Sequence, residues 1–189
     1  MSPRAGIDPG AVLRAALEIA DSEGAEAITI SSVAQRLGIR PPSLYNHVSG
    51  LNELRSWVAV HALRQLQDAI VAAAGNKKGE AAILSFADAY IGFVREHPGL
   101  YEMIQLAPGP EDREIGEAGD RLVDFVVGLL DDYNLTKEEA LHTVRGLRSL
   151  IHGFASLERQ KGFGLPLDVQ DSLNFNLKLI LDGLRRRTG

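Results

Sequence analysis

Residues 28–48, ITISSVAQRLGIRPPSLYNHV, constrain the fold more tightly than any other stretch of the chain. Val33, Leu37 and Leu44 supply apolar positions that can lock two short helices together. Ala34 is small where those helices must approach closely. Gly38 suits the left-handed residue that closes a helix, because it has no Cβ to clash. Three residues later Pro41 and Pro42 open a second helix, since proline is tolerated in a first turn. Two short helices joined by a tight turn containing glycine have the anatomy of a helix-turn-helix. The first is expected from about Thr29 or Ser31 to Gly38. The second should run from Pro41 to Ser49-Gly50.

The remaining chain reads as helices too. Asp8-Pro9 is a good start, because Asp can cap and Pro fits the first helical position. Val12, Ala15, Ala16 and Ile19 then recur at helical spacing, and Gly24 stops the run. A long helix is expected over residues 51–74, followed by the linker Gly75-Asn76-Lys77-Lys78-Gly79. Further helices are expected over 80–97, 100–106 (stopped by Pro108-Gly109-Pro110), 113–133, 137–161 and 169–187. Thr136-Lys137-Glu138-Glu139 has the pattern of a capping box. No strand-like alternation and no internal repeat compete with this reading. The expected fold is all-α with about nine helices. A helix-turn-helix domain occupies residues 1–54, and a helical ligand-binding and dimerisation bundle occupies 55–189.

Composition excludes several function classes. The 189 residues are 45% apolar, ample for a core and too many for a disordered chain. Cysteine is absent, which removes disulfides, thiolate metal sites and cysteine nucleophiles and fits a reducing cytoplasm. MSPRAGIDPG has no signal-peptide core, and no run reaches the roughly 18 apolar residues of a membrane span. A cytoplasmic protein without membrane contact is expected. The histidines (His47, His61, His97, His142, His152) form no compact ligand pattern, so no metal and no other cofactor is expected. Phosphate loops, Gly-x-Ser-x-Gly and convincing pairs of catalytic carboxylates are also missing, which argues against an enzyme.

The net charge is −5, yet residues 31–50 hold Arg36 and Arg40 and no acid. Residues 111–139 hold ten acids against Arg113, Arg121 and Lys137. One end of the chain can face phosphates while the rest repels them. On the second short helix Leu44 and Val48 share an inward face. Ser43, Asn46 and His47 then point outward, with Tyr45 at the edge. Such a helix can lie in a major groove, where Asn, His and Ser read base edges. Tyr45, Thr29 and Ser31 suit phosphate oxygens, and Arg40 in the turn suits backbone or base. Arg36 is expected to be a plain surface residue.

Residues 8–54 resemble the DNA-binding domain of the TetR family of bacterial transcription regulators. The matching elements are Ala15-Ala16, Gly24 with Thr29, Val33-Ala34, Leu37-Gly38-Ile39, Leu44-Tyr45-Asn46-His47-Val48 and Glu53-Leu54. Where the family often has Ser-Lys-Glu after its recognition helix, this chain has Ser49-Gly50-Leu51. Further on, His97-Pro98-Gly99-Leu100-Tyr101 and Ile151-His152-Gly153-Phe154 resemble a subfamily with a C-terminal Trp-His-Gly signature, with Ile151 at the Trp position.

The resemblance implies a homodimeric repressor that binds a palindromic operator in double-stranded DNA and is released by a small-molecule effector. The last two long helices would form a four-helix bundle with the partner's. Leu147, Phe154, Leu173, Leu177, Ile180, Leu181 and Leu184 are the expected dimer contacts. Trp57, His61, Phe86, Tyr90, Phe93, Tyr101, Ile104, Phe125 and His152 are the candidates for an effector pocket, whose apolar cast suits an apolar or aromatic ligand. His152-Gly153 is also expected near the dimer contact. A helical-bundle ligand carrier or enzyme without DNA binding, and an adaptor that uses its N-terminal helices for docking, are the competing classes. Salt-dependent binding to a duplex separates them from the first.

Overall fold

A computed structural model describes residues 7–106 and 112–188. Nine α-helices span α1 (Pro9–Glu23), α2 (Ile30–Arg36), α3 (Pro41–Leu44), α4 (Leu51–Ala74), α5 (Gly79–Glu96), α6 (Pro98–Leu106), α7 (Arg113–Gly128), α8 (Lys137–Arg159) and α9 (Val169–Thr188), with no strand among the described residues. The helix ends follow local chemistry. Asp8 Oδ1 accepts the Ala11 N–H at 2.6 Å and Pro9 opens α1, while Gly24 (φ +91°) closes it. At α8 the expected capping box is present: Thr136 Oγ1 accepts the Glu139 N–H and Glu139 Oε2 accepts the Thr136 N–H.

Two helices stop earlier than their sequence suggests. The run expected over 113–133 ends at Gly128 and resumes as a 3₁₀ turn, Asp131–Tyr133, closed by Asn134 in the left-handed region. The run expected to reach Lys161 ends at Arg159, because Lys161 itself adopts φ +55° and the Gly162 N–H turns back to the Leu157 carbonyl. Pro108-Gly109-Pro110, the expected stop after α6, lies outside the described residues, as does Glu111 of the acidic run. No described helix is long and apolar enough to cross a membrane.

The chain groups into two compact units. The first comprises Met1–Arg64 and His97–Ala118. In it α1 packs on α2 and α6, and α2 packs on α3. Val12, Ala16, Ile19, Ile28, Val33, Leu44, Leu54, Val58, Leu100 and Met103 form its core. α6, far away in sequence, starts against the last turn of α1, where His97 Nδ1 lies 3.0 Å from Asp21 Oδ2. The Ser56 hydroxyl on α4 donates to Asp112, whose other oxygen caps α7 by accepting the Glu114 and Ile115 N–H groups.

The second unit comprises Gln65–Glu96 and Gly119–Gly189. Here α5 packs on both α8 and α9, and these two pack on each other. Ile83, Phe86, Tyr90, Ile91, Leu147, Ile151, Leu173, Leu177 and Leu181 fill the space between them. Polar ties rim this core. Arg95 holds Glu158 through two 2.9 Å bonds, Gln170 donates to Asp88 at 2.7 Å, and Arg185 pairs with Glu80 at 3.0 Å. The helices α4 and α7 each contribute residues to both units.

Candidate nucleic-acid interface

The turn between α2 and α3 is built as its sequence suggests. Gly38 sits at φ +68°. Its N–H reaches the Gln35 carbonyl, and the Ile39 N–H reaches the Ala34 carbonyl, both at 3.0 Å. That pair of bonds is a Schellman closure, which satisfies the carbonyls a helix end leaves free. Arg40 is extended (φ −81°, ψ 142°), as a residue before proline must be. Pro41 then starts α3.

The second element is shorter than expected. Regular α-helix covers only Pro41–Leu44, and Tyr45 to His47 continue as turns. The cause lies in the hydrogen bonds. The Asn46 and His47 N–H groups reach back three residues, to Ser43 and Leu44, and only the Val48 N–H makes a four-residue bond, to Leu44. Pro41 and Pro42 bring no N–H of their own. The facing is nonetheless the expected one. Leu44 and Val48 are buried, Ser43, Tyr45 and Asn46 are exposed, and His47 is half-buried. Tyr45 keeps 56% of its surface accessible, high for so large a ring.

The flanking residues divide by role. Arg40 and Ser31 are exposed. Thr29, expected to face phosphate, is the N-cap of α2. Its Oγ1 accepts the Ser32 N–H and its own N–H donates to Ser32 Oγ, both at 3.0 Å. Arg36 is exposed, as expected of a surface residue, and holds Glu23 at 2.6 Å and Glu18 at 3.3 Å on α1. After the turn, Glu53 accepts the Ser49 N–H at 2.5 Å, and hydrogen bonds from Ser49 hold the Glu53 carboxyl below its usual pKa. The resulting surface presents a hydroxyl, a phenol, an amide, an imidazole edge and a guanidinium, with no acid between Ser31 and Ser49.

The effector candidates fall in both units. Trp57 and His61 on α4 are half-buried in the first unit, with Tyr101 buried and Ile104 half-buried on α6. Phe86, Tyr90 and Phe93 are buried on α5 in the second, where Phe86 and Tyr90 meet edge to face at 6.0 Å. Phe125 and His152 are half-buried there.

The expected dimer contacts divide by burial within one chain. Leu147 on α8 and Leu173, Leu177 and Leu181 on α9 are 0% exposed within a single chain, because α5, α8 and α9 pack on one another. Phe154, Ile180 and Leu184 are half-buried. The apolar side chains α9 leaves outside are Phe175 (64% exposed) and Leu179 (56%). Sequence reasoning passed over both because they stand off the leucine stripe. A groove of about 380 Å³ runs between α8 and α9, with Gly146, Leu147, Ile180 and Leu184 along it and the Glu139–Arg187 pair (2.5 Å) at one end.

Comparison with known proteins agrees with this architecture. Residues 83–180 match the family described as Tetracyclin repressor-like, C-terminal domain. The chain is 39% identical to YobS, an uncharacterized HTH-type transcriptional regulator of Bacillus subtilis (strain 168), over 97% of this chain and 96% of that one. It is 30% identical to an uncharacterized HTH-type transcriptional regulator of Mycobacterium tuberculosis, over 94% of this chain and 81% of the other. Among solved structures, a TetR transcriptional regulator from Streptomyces coelicolor superposes with a TM-score of 0.76 at 17% identity, covering 97% of this chain and 100% of that one. The chain belongs to the TetR family of DNA-binding, helix-turn-helix transcriptional regulators.

Proposed function

We propose that the protein is a homodimeric repressor that binds a palindromic operator and is released by a small apolar or aromatic effector. One observation carries the DNA side. Ser43, Tyr45 and Asn46 are exposed on an element whose Leu44 and Val48 are buried and whose entry is locked by Gly38. Tyr45 and Arg40 meet phosphates, which set the register, with Thr29 and Ser31 at the start of α2 beside them. Ser43, Asn46 and His47 meet base edges. The operator-binding function lies within residues 1–54, and effector binding and dimerisation lie within 55–189. Effector and DNA prefer different arrangements of the protein, so each weakens the other by a coupling of about 1–3 kcal/mol.

The test is a fluorescence anisotropy titration with the duplex upstream of the protein's own coding region, at two salt concentrations, with random duplex as competitor. Tight binding that survives competitor, with a two-fold footprint, is the expected result. Selection of bound fragments from the whole genome covers an operator located elsewhere. If neither yields a sequence bound better than random DNA, the repressor reading falls.

A further inference from the structure

Leu173, Leu177 and Leu181 turn the inner face of α9 into the core of its own chain, so Phe175 and Leu179 are left on the outer face. Residues four apart share a helix face and lie about 6 Å apart along the axis. Four residues before Leu179 stands Phe175, and four residues after it stands Gly183. Gly183 is exposed, and a Cβ built there would meet nothing within 4 Å. Leu179 is therefore flanked by the largest side chain of this face on one side and an empty position on the other. A two-fold axis through Leu179 exchanges these positions. We infer that α9 pairs antiparallel with α9 of a second copy about Leu179, so that Phe175 of each chain packs over Gly183 of the other, at the level of the groove lined by Gly146, Ile180 and Leu184. This rests on the dimeric reading above and specifies its register.

Charge supports the same pairing. Asp168 and Asp171 stand at the start of α9, and its last turn carries Arg185, Arg186 and Arg187, of which Arg185 and Arg187 also hold Glu80 and Glu139 of their own chain. Antiparallel pairing sets the acidic end of each helix near the basic end of the other and opposes the two helix dipoles. A parallel arrangement would gather like charges at both ends. A two-fold contact must be self-complementary, and a face with a knob and a matching gap at equal distances from one residue satisfies that requirement.

The lack of cysteine makes a direct test clean. In the full-length protein, Leu179→Cys should form a disulfide-linked dimer with itself under mild oxidation, since bridging needs Cα atoms about 4.4–6.8 Å apart. Mixed Phe175→Cys and Gly183→Cys chains should cross-link with each other, and neither should do so alone. Phe175→Ala should raise the dimer dissociation constant, read by sedimentation equilibrium, about 100-fold, because each dimer loses two buried rings. All these positions are exposed, so circular dichroism should be unchanged. A parent dimer with no Leu179→Cys cross-link and an unaltered constant for Phe175→Ala overturns the register while leaving the dimer. A parent that sediments as a monomer at every concentration overturns the dimer and the register with it.

Discussion

Gly99 lies directly against the backbone of Ala20. A Cβ at position 99 would fall 1.8 Å from the Ala20 carbonyl oxygen and 2.6 Å from its carbon. The obstacle is main chain at the end of α1, which cannot rotate away as a side chain can. Gly99 thus lets α6 seat on the helix that supports the recognition turn, next to the His97–Asp21 contact. Gly99→Ala should destabilise the protein by about 1–3 kcal/mol, the usual cost of overpacking a tight site. Gly92→Ala is the control. Gly92 is also helical, but nothing lies within 4 Å of its added Cβ, so a gain of about 0.5–1 kcal/mol is expected. Chemical denaturation of both variants checks the contrast. Equal effects would mean that α6 does not seat on Ala20.

The acid side of the stability profile should depend on Asp112. The Ser56 hydroxyl, followed by the Ile115 and Glu114 N–H groups, favours its charged form and holds its pKa below the ordinary carboxylate value. A carboxyl whose pKa is lower in the folded chain stabilises it above the unfolded pKa of about 3.9, and that contribution is lost as pH falls through the folded value. Asp112→Asn should therefore be less stable than the parent at pH 7, and the gap should close in strongly acidic buffer. A gap independent of pH would show that the bond to Ser56 persists without the charge.

Much of the fold was legible because its boundaries are written in local chemistry. Asp8-Pro9, Gly24, Gly38, Pro41 and the Thr136–Glu139 box each act within a few residues, and each marks an observed helix end. The exposed set Ser43, Tyr45 and Asn46 was legible for the same reason, since the buried pair Leu44 and Val48 sets the facing. Contacts between distant segments were not legible. Nothing near Ser56 announces Asp112, and nothing near Asp21 announces His97. The leucine stripe of α9 was legible as apolar, and its own chain buries Leu173, Leu177 and Leu181. Periodicity shows that a face is buried and does not show whether its own chain or a second copy covers it.

That distinction yields a sharp contrast on α9. Leu177 and Leu181 are fully buried in one chain, whereas Leu179 is exposed between them. A carboxylate at 177 or 181 would sit unpaired in an apolar core, a strongly destabilising change. Leu177→Asp and Leu181→Asp should lose cooperative unfolding or aggregate. With α9 paired about Leu179 as proposed, Leu179→Asp should stay folded and sediment as a monomer, because two like charges would meet at that axis. Thermal melts and sedimentation on the three variants decide the point. A well-folded monomer from Leu177→Asp would return that residue to the interface.

At the recognition turn, stability and binding should separate residue by residue. Leu44 is 0% exposed and holds the turn from beneath, so Leu44→Ala should cost about 2–5 kcal/mol of stability and abolish operator binding with it. Tyr45→Ala should leave the melting curve nearly unchanged, because the ring is largely solvated. It should weaken binding to operator and random duplex alike, as expected for loss of a phosphate contact. Asn46→Ala should differ from both. A lost base contact costs about 1–3 kcal/mol against the preferred base and little against the others, so the variant should relax selection at one symmetric pair of positions. Anisotropy titrations against the operator and its single-base variants, at matched salt, read all three patterns. If Tyr45→Ala and Asn46→Ala both bind the operator as tightly as the parent, the turn following α2 is not the surface that meets DNA.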